Sequence, residues 1–254
     1  MPSSSGSIRL FQFSGIDVFL HWSWFFVAVY EISSRGKRYP SLLWNVIEYL
    51  FLFVIVLLHE FGHALACRQV GGRADKIMLW PLGGVAYVDP PPRPGATLWS
   101  IAAGPLVNVA FLLVLSVAMF TRSGWASDFP YAYALARALW GINLVLLIFN
   151  MLPIYPLDGG QILRALLWFL IGRARSLMVV TFLGFVGAAA LILFAIWRQS
   201  LWTGLIAGYM LMTCWGGWQQ ARILARASAS EENTGQNAPA DNQATNSPGS
   251  ISST

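Results

Sequence analysis

Long apolar segments, separated by short polar ones, run through most of this chain. A membrane-spanning helix needs about 20 mostly apolar residues, and several segments reach that length once flanking aromatic and small residues are included. We therefore predict an all-α polytopic membrane protein with six transmembrane helices, at about 16–33, 42–66, 97–120, 131–152, 177–197 and 200–218.

The loop after the second predicted span departs from this helical pattern. Residues 77–80 and 85–88 are rich in strand-forming side chains, and the PLGG sequence between them is typical of a turn. We predict a short membrane-associated β-hairpin here, followed by a stiff proline-rich linker. The alternative interpretation is an amphipathic loop that lies on the lipid headgroups.

The pattern of apolar segments ends near residue 227. Residues 227–254 are mainly Ser, Asn, Gln, Ala and Thr, and such a segment cannot bury enough apolar surface to offset the entropy of ordering. We predict one membrane domain at 1–226 and a disordered polar tail at 227–254. No internal repeat is visible, which disfavours a transporter built from inverted repeats.

Composition and charge support the membrane class and suggest an orientation. The chain is 56% hydrophobic and only 11% charged, whereas soluble domains carry about 25% charged residues. With six spans, the side that holds both termini has ten Lys and Arg residues against five or six opposite, which predicts cytoplasmic termini. The basic residues form no run with interleaved aromatics, so a nucleic-acid partner is disfavoured.

Ionisable residues occur in the middle of the second predicted span, in the sequence HEFGH. An ionisable side chain at the bilayer centre costs roughly 2.5–3.5 kcal/mol, so these residues need compensating partners. Two of the three histidines of the chain, His59 and His63, stand four residues apart. On a helix they share a face and can bind one zinc ion, with Glu60 placed to deprotonate a water.

Catalytic zinc normally has three protein ligands, so a third ligand has to come from elsewhere. A helix rises about 1.5 Å per residue, which places Cys67 roughly 12 Å and Glu48 about 16 Å from His59, too far to share an ion. Asp17 and His21 stand near the start of the first predicted span, where we interpret them as interfacial polar residues.

Elimination leaves Asp158 as the third ligand. It follows two prolines and precedes two glycines, at a break between apolar segments. Irregular backbone at membrane depth is tolerated only where it lines a cavity or is buried in protein. The alternative interpretation makes Asp158 the N-cap of a helix that begins near Gly160, and one carboxylate can serve both roles.

Three sequences in this order resemble the site-2 proteases, which are intramembrane zinc metalloproteases. They are HEFGH at 59–63, AGPLVN at 103–108 and N-x-x-P-x-x-P-L-D-G at 150–159. The resemblance covers most of residues 15–220. It implies one zinc ion per chain, held by His59, His63 and Asp158, with Glu60 as general base and Asn150 near the scissile carbonyl.

The resemblance also implies a mode of action. The expected reaction is hydrolysis of a peptide bond within or near a transmembrane segment of a membrane-protein substrate, in the lipid bilayer and with the active site opening to the cytoplasm. The loop at 79–88 would receive the unwound substrate as an edge strand. The expected form is compact, because the chain has no room for a PDZ or cystathionine-β-synthase-type domain.

Other interpretations of the polar residues remain. Asp17, His21 and Asn108 are candidates for a water route to the metal, although Asn108 would equally serve to bond two helices. A zinc transporter would also use intramembrane His and Asp, and a membrane scaffold would keep zinc for stability alone. A single cluster disfavours the transporter, and the presence of Glu60 disfavours the scaffold, since a structural site needs no base.

Overall fold

A computed structural model describes residues 6–26, 28–29, 41–80, 83–121 and 124–236. Four strands form one sheet in the order β1-β2-β3-β4, with β2 parallel to β3 and the other pairs antiparallel. The strands are β1 (Ser7–Phe13), β2 (Ile16–His21), β3 (Arg73–Trp80) and β4 (Gly83–Asp89). The helices are α1 (Leu42–Gln69), α2 (Pro94–Thr121), α3 (Trp125–Asp128), α4 (Pro130–Asn150), α5 (Asp158–Ile171), α6 (Arg173–Arg198) and α7 (Leu201–Gln236).

Four helices of the described chain, α1, α2, α4 and α6, are long and apolar enough to cross a membrane. They correspond to the second, third, fourth and fifth predicted spans, so the prediction of a mostly helical membrane protein is confirmed. The sixth predicted span at 200–218 lies in α7, a helix that does not reach the same apolarity because Trp, Gly and Thr interrupt it. Six spans are therefore not confirmed.

The first predicted span, at about 16–33, is wrong in its N-terminal part. Residues 16–21 form strand β2, and helical turns follow only at 24–26 and 28–29, while residues 27 and 30–33 lie outside the described part of the chain. The side chains of β2 alternate with a period of two. Ile16 and Val18 are fully buried against α1, whereas Asp17 faces the other way and pairs with Arg9 at 2.5 Å.

The prediction of an all-α fold is also wrong, although the hairpin after the second span is confirmed. Strands β3 and β4 pair antiparallel, with Met78 opposite Val85 and Leu79 opposite Gly84. The N-terminal β1–β2 hairpin extends this pair to four strands by parallel pairing of β2 with β3. The sheet packs on α1 through Ile77 and Leu79, both fully buried.

Two features of the helices position the centre of the molecule. Helices α1 and α2 approach closely at Gly62, where a Cβ would lie 2.8 Å from the carbonyl oxygen of Ala103. Helix α5 has 14 residues, which at about 1.5 Å per residue is too short to cross a hydrocarbon core about 30 Å thick. Gly159 and Gly160 at its N-terminus are buried, so this end of the helix lies inside the protein.

The C-terminal helix overlaps the predicted polar tail. Helix α7 continues to Gln236, ten residues into the segment 227–254 that the sequence predicts to be disordered. Residues 237–254 lie outside the described part of the chain.

Candidate metal centre and active site

Helix α1 places three polar side chains in the interior. His59, Glu60 and His63 are each only 5–6% exposed. The four-residue spacing brings the two imidazoles onto one face, where their Nε2 atoms are 3.1 Å apart and their ring planes are inclined by 85°. Both Nε2 atoms therefore point to one position, as the helical spacing predicts.

A short loop, residues 151–157, brings Asp158 to the same position. Helix α4 ends at Asn150, and α5 begins at Asp158. A Cβ at Gly159 would overlap the carbonyl oxygen of Met151, and one at Gly160 would lie 2.5 Å from the Tyr155 amide nitrogen. Only glycine at these two positions lets the loop close against the start of α5.

Asp158 is the first residue of α5 and not its cap. The N-cap residue is Leu157, and no side chain caps the helix, so the N-cap interpretation of Asp158 does not apply. Its Oδ2 atom lies 3.0 Å from His59 Nε2 and 3.5 Å from His63 Nε2. The carboxylate oxygen is thus close enough to both imidazole nitrogens to share one metal ion with them.

This three-residue cluster fits a zinc ion. Its ligand atoms lie within 4.8 Å of one another, and their separations of 3.0, 3.1 and 3.5 Å come within about 0.3 Å of the roughly 3.3–3.6 Å between ligands at tetrahedral zinc. Asp158 Oδ2 is buried and has no hydrogen-bond partner among the described residues. A buried, unpartnered carboxylate oxygen is costly unless it binds a cation.

Hydrogen bonds from outside the cluster orient both imidazoles. His59 Nδ1 donates to Asn108 Oδ1 at 3.1 Å, and His63 Nδ1 donates to the Ser100 carbonyl oxygen at 3.0 Å. With the protons on Nδ1, both Nε2 lone pairs are free to bind a metal, which is the usual arrangement of metal-binding histidines. Asn108 therefore bonds α2 to α1, which confirms the second of its two predicted roles, and it does so at a histidine of the cluster.

Asn108 is itself held in place by a second asparagine. Asn143 on α4 is fully buried and donates from Nδ2 to the Asn108 carbonyl oxygen at 2.8 Å. Asn143 is not among the residues predicted from the sequence, although its polar side chain inside a predicted apolar span is a signal for it. Three helices, α1, α2 and α4, therefore meet at one polar network beside the cluster.

Glu60 points from α1 to the sheet. Its Oε2 atom accepts a hydrogen bond from the Ala86 backbone N–H on β4 at 2.8 Å. A Cβ at Gly84 would overlap the Glu60 side chain, so β4 can cover the carboxylate only because residue 84 has no side chain. The second glycine of the PLGG turn therefore has a role that turn chemistry alone does not explain.

The other predicted site residues lie outside this cluster. Asn150 ends α4, and its half-buried side chain makes no hydrogen bond with the described residues. Asp17 pairs with Arg9 on the sheet, and the His21 ring stacks on Trp80 at 4.3 Å between centroids. Cys67 contacts the Arg73 carbonyl oxygen, in agreement with its exclusion as a ligand.

Gly104→Ala is expected to lower zinc content severely. A Cβ at this position of α2 would overlap the His63 imidazole at Nε2, and the ring would have to leave the cluster. Alanine is a better helix former than glycine by about 1 kcal/mol, so helix propensity predicts no loss. Zinc per chain, measured on purified protein by atomic absorption, checks this. Gly141→Ala, whose Cβ meets open space, is the control and should keep its zinc.

Asn108→Ala is expected to weaken zinc binding by roughly 10–100-fold, because His59 loses the acceptor that fixes its tautomer and ring orientation. Competition with a chelator of known affinity measures the change. Ser116→Ala is a matched control on the same helix, since it removes only the acceptor of the Trp140 Nε1 hydrogen bond. Equal affinities for the two variants would contradict the orienting role of Asn108.

Comparison with known proteins gives a consistent assignment. The model of Peptidase family M50 matches residues 48–139 and 126–194, more than half of the chain. The chain is 33% identical over 220 residues to "Zinc metalloprotease MJ0392" of Methanocaldococcus jannaschii, a match that covers 86% of this chain and 61% of that protein. It is 27% identical over 245 residues to "Putative zinc metalloprotease sll0528" of Synechocystis, covering 89% and 63%.

The chain therefore spans about three fifths of the length of these two curated relatives. A solved structure, "Site-2 Protease from Methanocaldococcus jannaschii", superimposes with a TM-score of 0.59 at 30% identity, covering 84% of this chain and 95% of that one. The likeness identifies a multi-pass integral membrane protein. The chain belongs to peptidase family M50, the site-2 protease family.

Proposed function

We propose that this chain is an intramembrane zinc metalloprotease that hydrolyses a peptide bond within or near a transmembrane segment of a membrane protein. The observation that carries the proposal is the convergence of Asp158 Oδ2 with His59 Nε2 and His63 Nε2, which stand beside Glu60 on a helix of membrane-spanning length. In the described residues this is the one cluster of its kind. A transporter usually needs several sites along a path, so we prefer the protease.

His59, His63 and Asp158 would hold the zinc ion, which when bound supplies a Lewis acid that polarises the scissile carbonyl and acidifies water. Glu60, the neighbour of His59 in sequence, would accept the proton of the attacking water. It would then return that proton to the leaving nitrogen, which completes the hydrolysis. Burial of the His59, Glu60 and His63 side chains, beside an Asp158 side chain that is 15% exposed, limits the access of bulk water and strengthens their electrostatic interactions.

Asn150 is the proposed donor to the developing oxyanion. It ends α4 directly before the loop that returns to Asp158, and its half-buried amide is not occupied by another hydrogen bond with the described residues. Asn150 is also the first residue of the N-x-x-P-x-x-P-L-D-G sequence that resembles the site-2 proteases, which supports this role.

The proposed substrate contact is the outer edge of β4. A transmembrane helix uses its own carbonyls in internal hydrogen bonds, so the substrate must unwind before attack. Strand β4 is the last strand of the sheet in the described chain, and Glu60 lies against it. An unwound segment added to this edge by main-chain hydrogen bonds would be extended beside the metal.

We further propose the membrane arrangement that the sequence predicts, with one correction. A first span would begin after β2, near residue 24, and α7 would supply the sixth. The excess of Lys and Arg on the side of both termini supports a cytoplasmic location for them and for the opening of the site. One membrane domain at 1–226 and a polar C-terminal tail remain our proposal for the domain organisation.

Comparison of two membrane proteomes tests the proposed function. Cells that express the wild-type protein are compared with cells that express Glu60→Gln at the same level. Membrane proteins shortened within a transmembrane segment should occur only with the wild type. Identical fragment patterns, with both proteins present in the membrane, would overturn the proposal.

A further inference from the structure

The Glu60 carboxylate makes one hydrogen bond that its proposed role does not require. Its acceptor oxygen Oε2 lies 2.8 Å from the Ala86 amide nitrogen of β4. Glu60 is 6% exposed, and the fit is close enough that even a Cβ at Gly84 would overlap it. The general base of the proposed protease is therefore held against β4 by a hydrogen bond from the strand.

The Ala86 N–H is one of the backbone groups on the outer edge of β4 to which an added strand would bond. In an antiparallel pair, the N–H groups of alternate residues point across the ladder and the others point away from it. Ala86 stands opposite Ile77 of β3, yet its N–H goes to Glu60. The outward-pointing amides of β4 thus include the one that Glu60 occupies.

From this we infer that the substrate releases the general base: an extended substrate segment that pairs with the outer edge of β4 takes the Ala86 N–H from Glu60. The inference rests on the proposed function and adds a coupling between substrate pairing and Glu60. One N–H makes one strong hydrogen bond, so a substrate carbonyl and the Glu60 carboxylate compete for it. When the carbonyl binds Ala86, the carboxylate is free to turn to the attacking water.

The coupling gives the enzyme a resting form and a working form. Without substrate, Glu60 is fixed beneath β4, and the centre is less able to activate water when no peptide is present. Pairing of the substrate moves Glu60 and extends the peptide in one event. The absence of a side chain at Gly84 is what allows the carboxylate to lie next to the strand in the resting form.

Substrate binding to two inactive variants tests this inference. Glu60→Gln keeps an oxygen that accepts from Ala86, whereas Glu60→Ala leaves the Ala86 N–H free. Both variants are neutral at this position and neither can act as a base. The probe is a fluorescently labelled synthetic peptide of a transmembrane segment that the wild-type protein cuts, and its dissociation constant is measured in the same lipid nanodiscs.

We expect Glu60→Ala to bind the probe several-fold more tightly than Glu60→Gln, on the scale of one net hydrogen bond. Replacing the amide at residue 86 by an ester, through incorporation of lactic acid, removes the contested N–H and should abolish the difference. Equal dissociation constants with the native amide, or a difference that persists with the ester, would overturn the inference. Cleavage of the same peptide by the wild type is the independent check of the proposed function.

Discussion

Purified Glu60→Gln protein is expected to keep its zinc and to lose cleavage of a membrane substrate by about 10²–10⁴-fold, the usual contribution of a general base. Glutamine has nearly the shape of glutamate and still accepts the Ala86 N–H. It cannot accept a proton from water at neutral pH. The loss should therefore fall on turnover, while zinc content and thermal stability change little.

The measurement is cleavage of a labelled substrate in proteoliposomes, together with zinc per chain on the same preparation. Asp75→Asn is the control, because this carboxylate on β3 is 80% exposed and makes only a long contact with Arg68. The control should cleave at the wild-type rate. Undiminished cleavage by Glu60→Gln would contradict the hydrolytic role of Glu60, whatever its zinc content.

The long helices could be predicted from sequence because apolar length is a strong signal. The N-terminal strands could not, because residues 18–30 form one largely apolar run that fits a span as well as a buried strand followed by helix. The distinguishing feature is the alternation of Ile16, Asp17 and Val18, which is too short to recognise without the parallel partner β3. That partner is more than fifty residues away in the chain.

The candidate metal cluster could also be predicted from the sequence. His59 and His63 are related by local helical spacing, and elimination of the other ionisable side chains left Asp158. The roles of the residues that surround the cluster could not be predicted from the sequence, because they depend on how the helices and strands pack. Asn108 and Gly104 reach the histidines only after α2 packs on α1, and Ala86 acts through a main-chain N–H that any residue except proline supplies.

Asp158→Ala is expected to lose zinc almost completely, more than the 10–100-fold weakening expected when an orienting partner such as Asn108 is removed. Two imidazoles alone leave the ion with too few protein ligands, since catalytic zinc sites use three. Zinc per chain after dialysis against a weak chelator measures the loss.

Asp158→Asn, which keeps the shape of the side chain but not its charge, separates loss of a ligand from loss of packing. It should lose most of its zinc while the protein unfolds at nearly the temperature of zinc-free wild-type protein. Asp17→Ala, which breaks only the pair with Arg9 on the sheet, should keep its zinc, and an unchanged zinc content in both Asp158 variants would remove Asp158 from the ligand set.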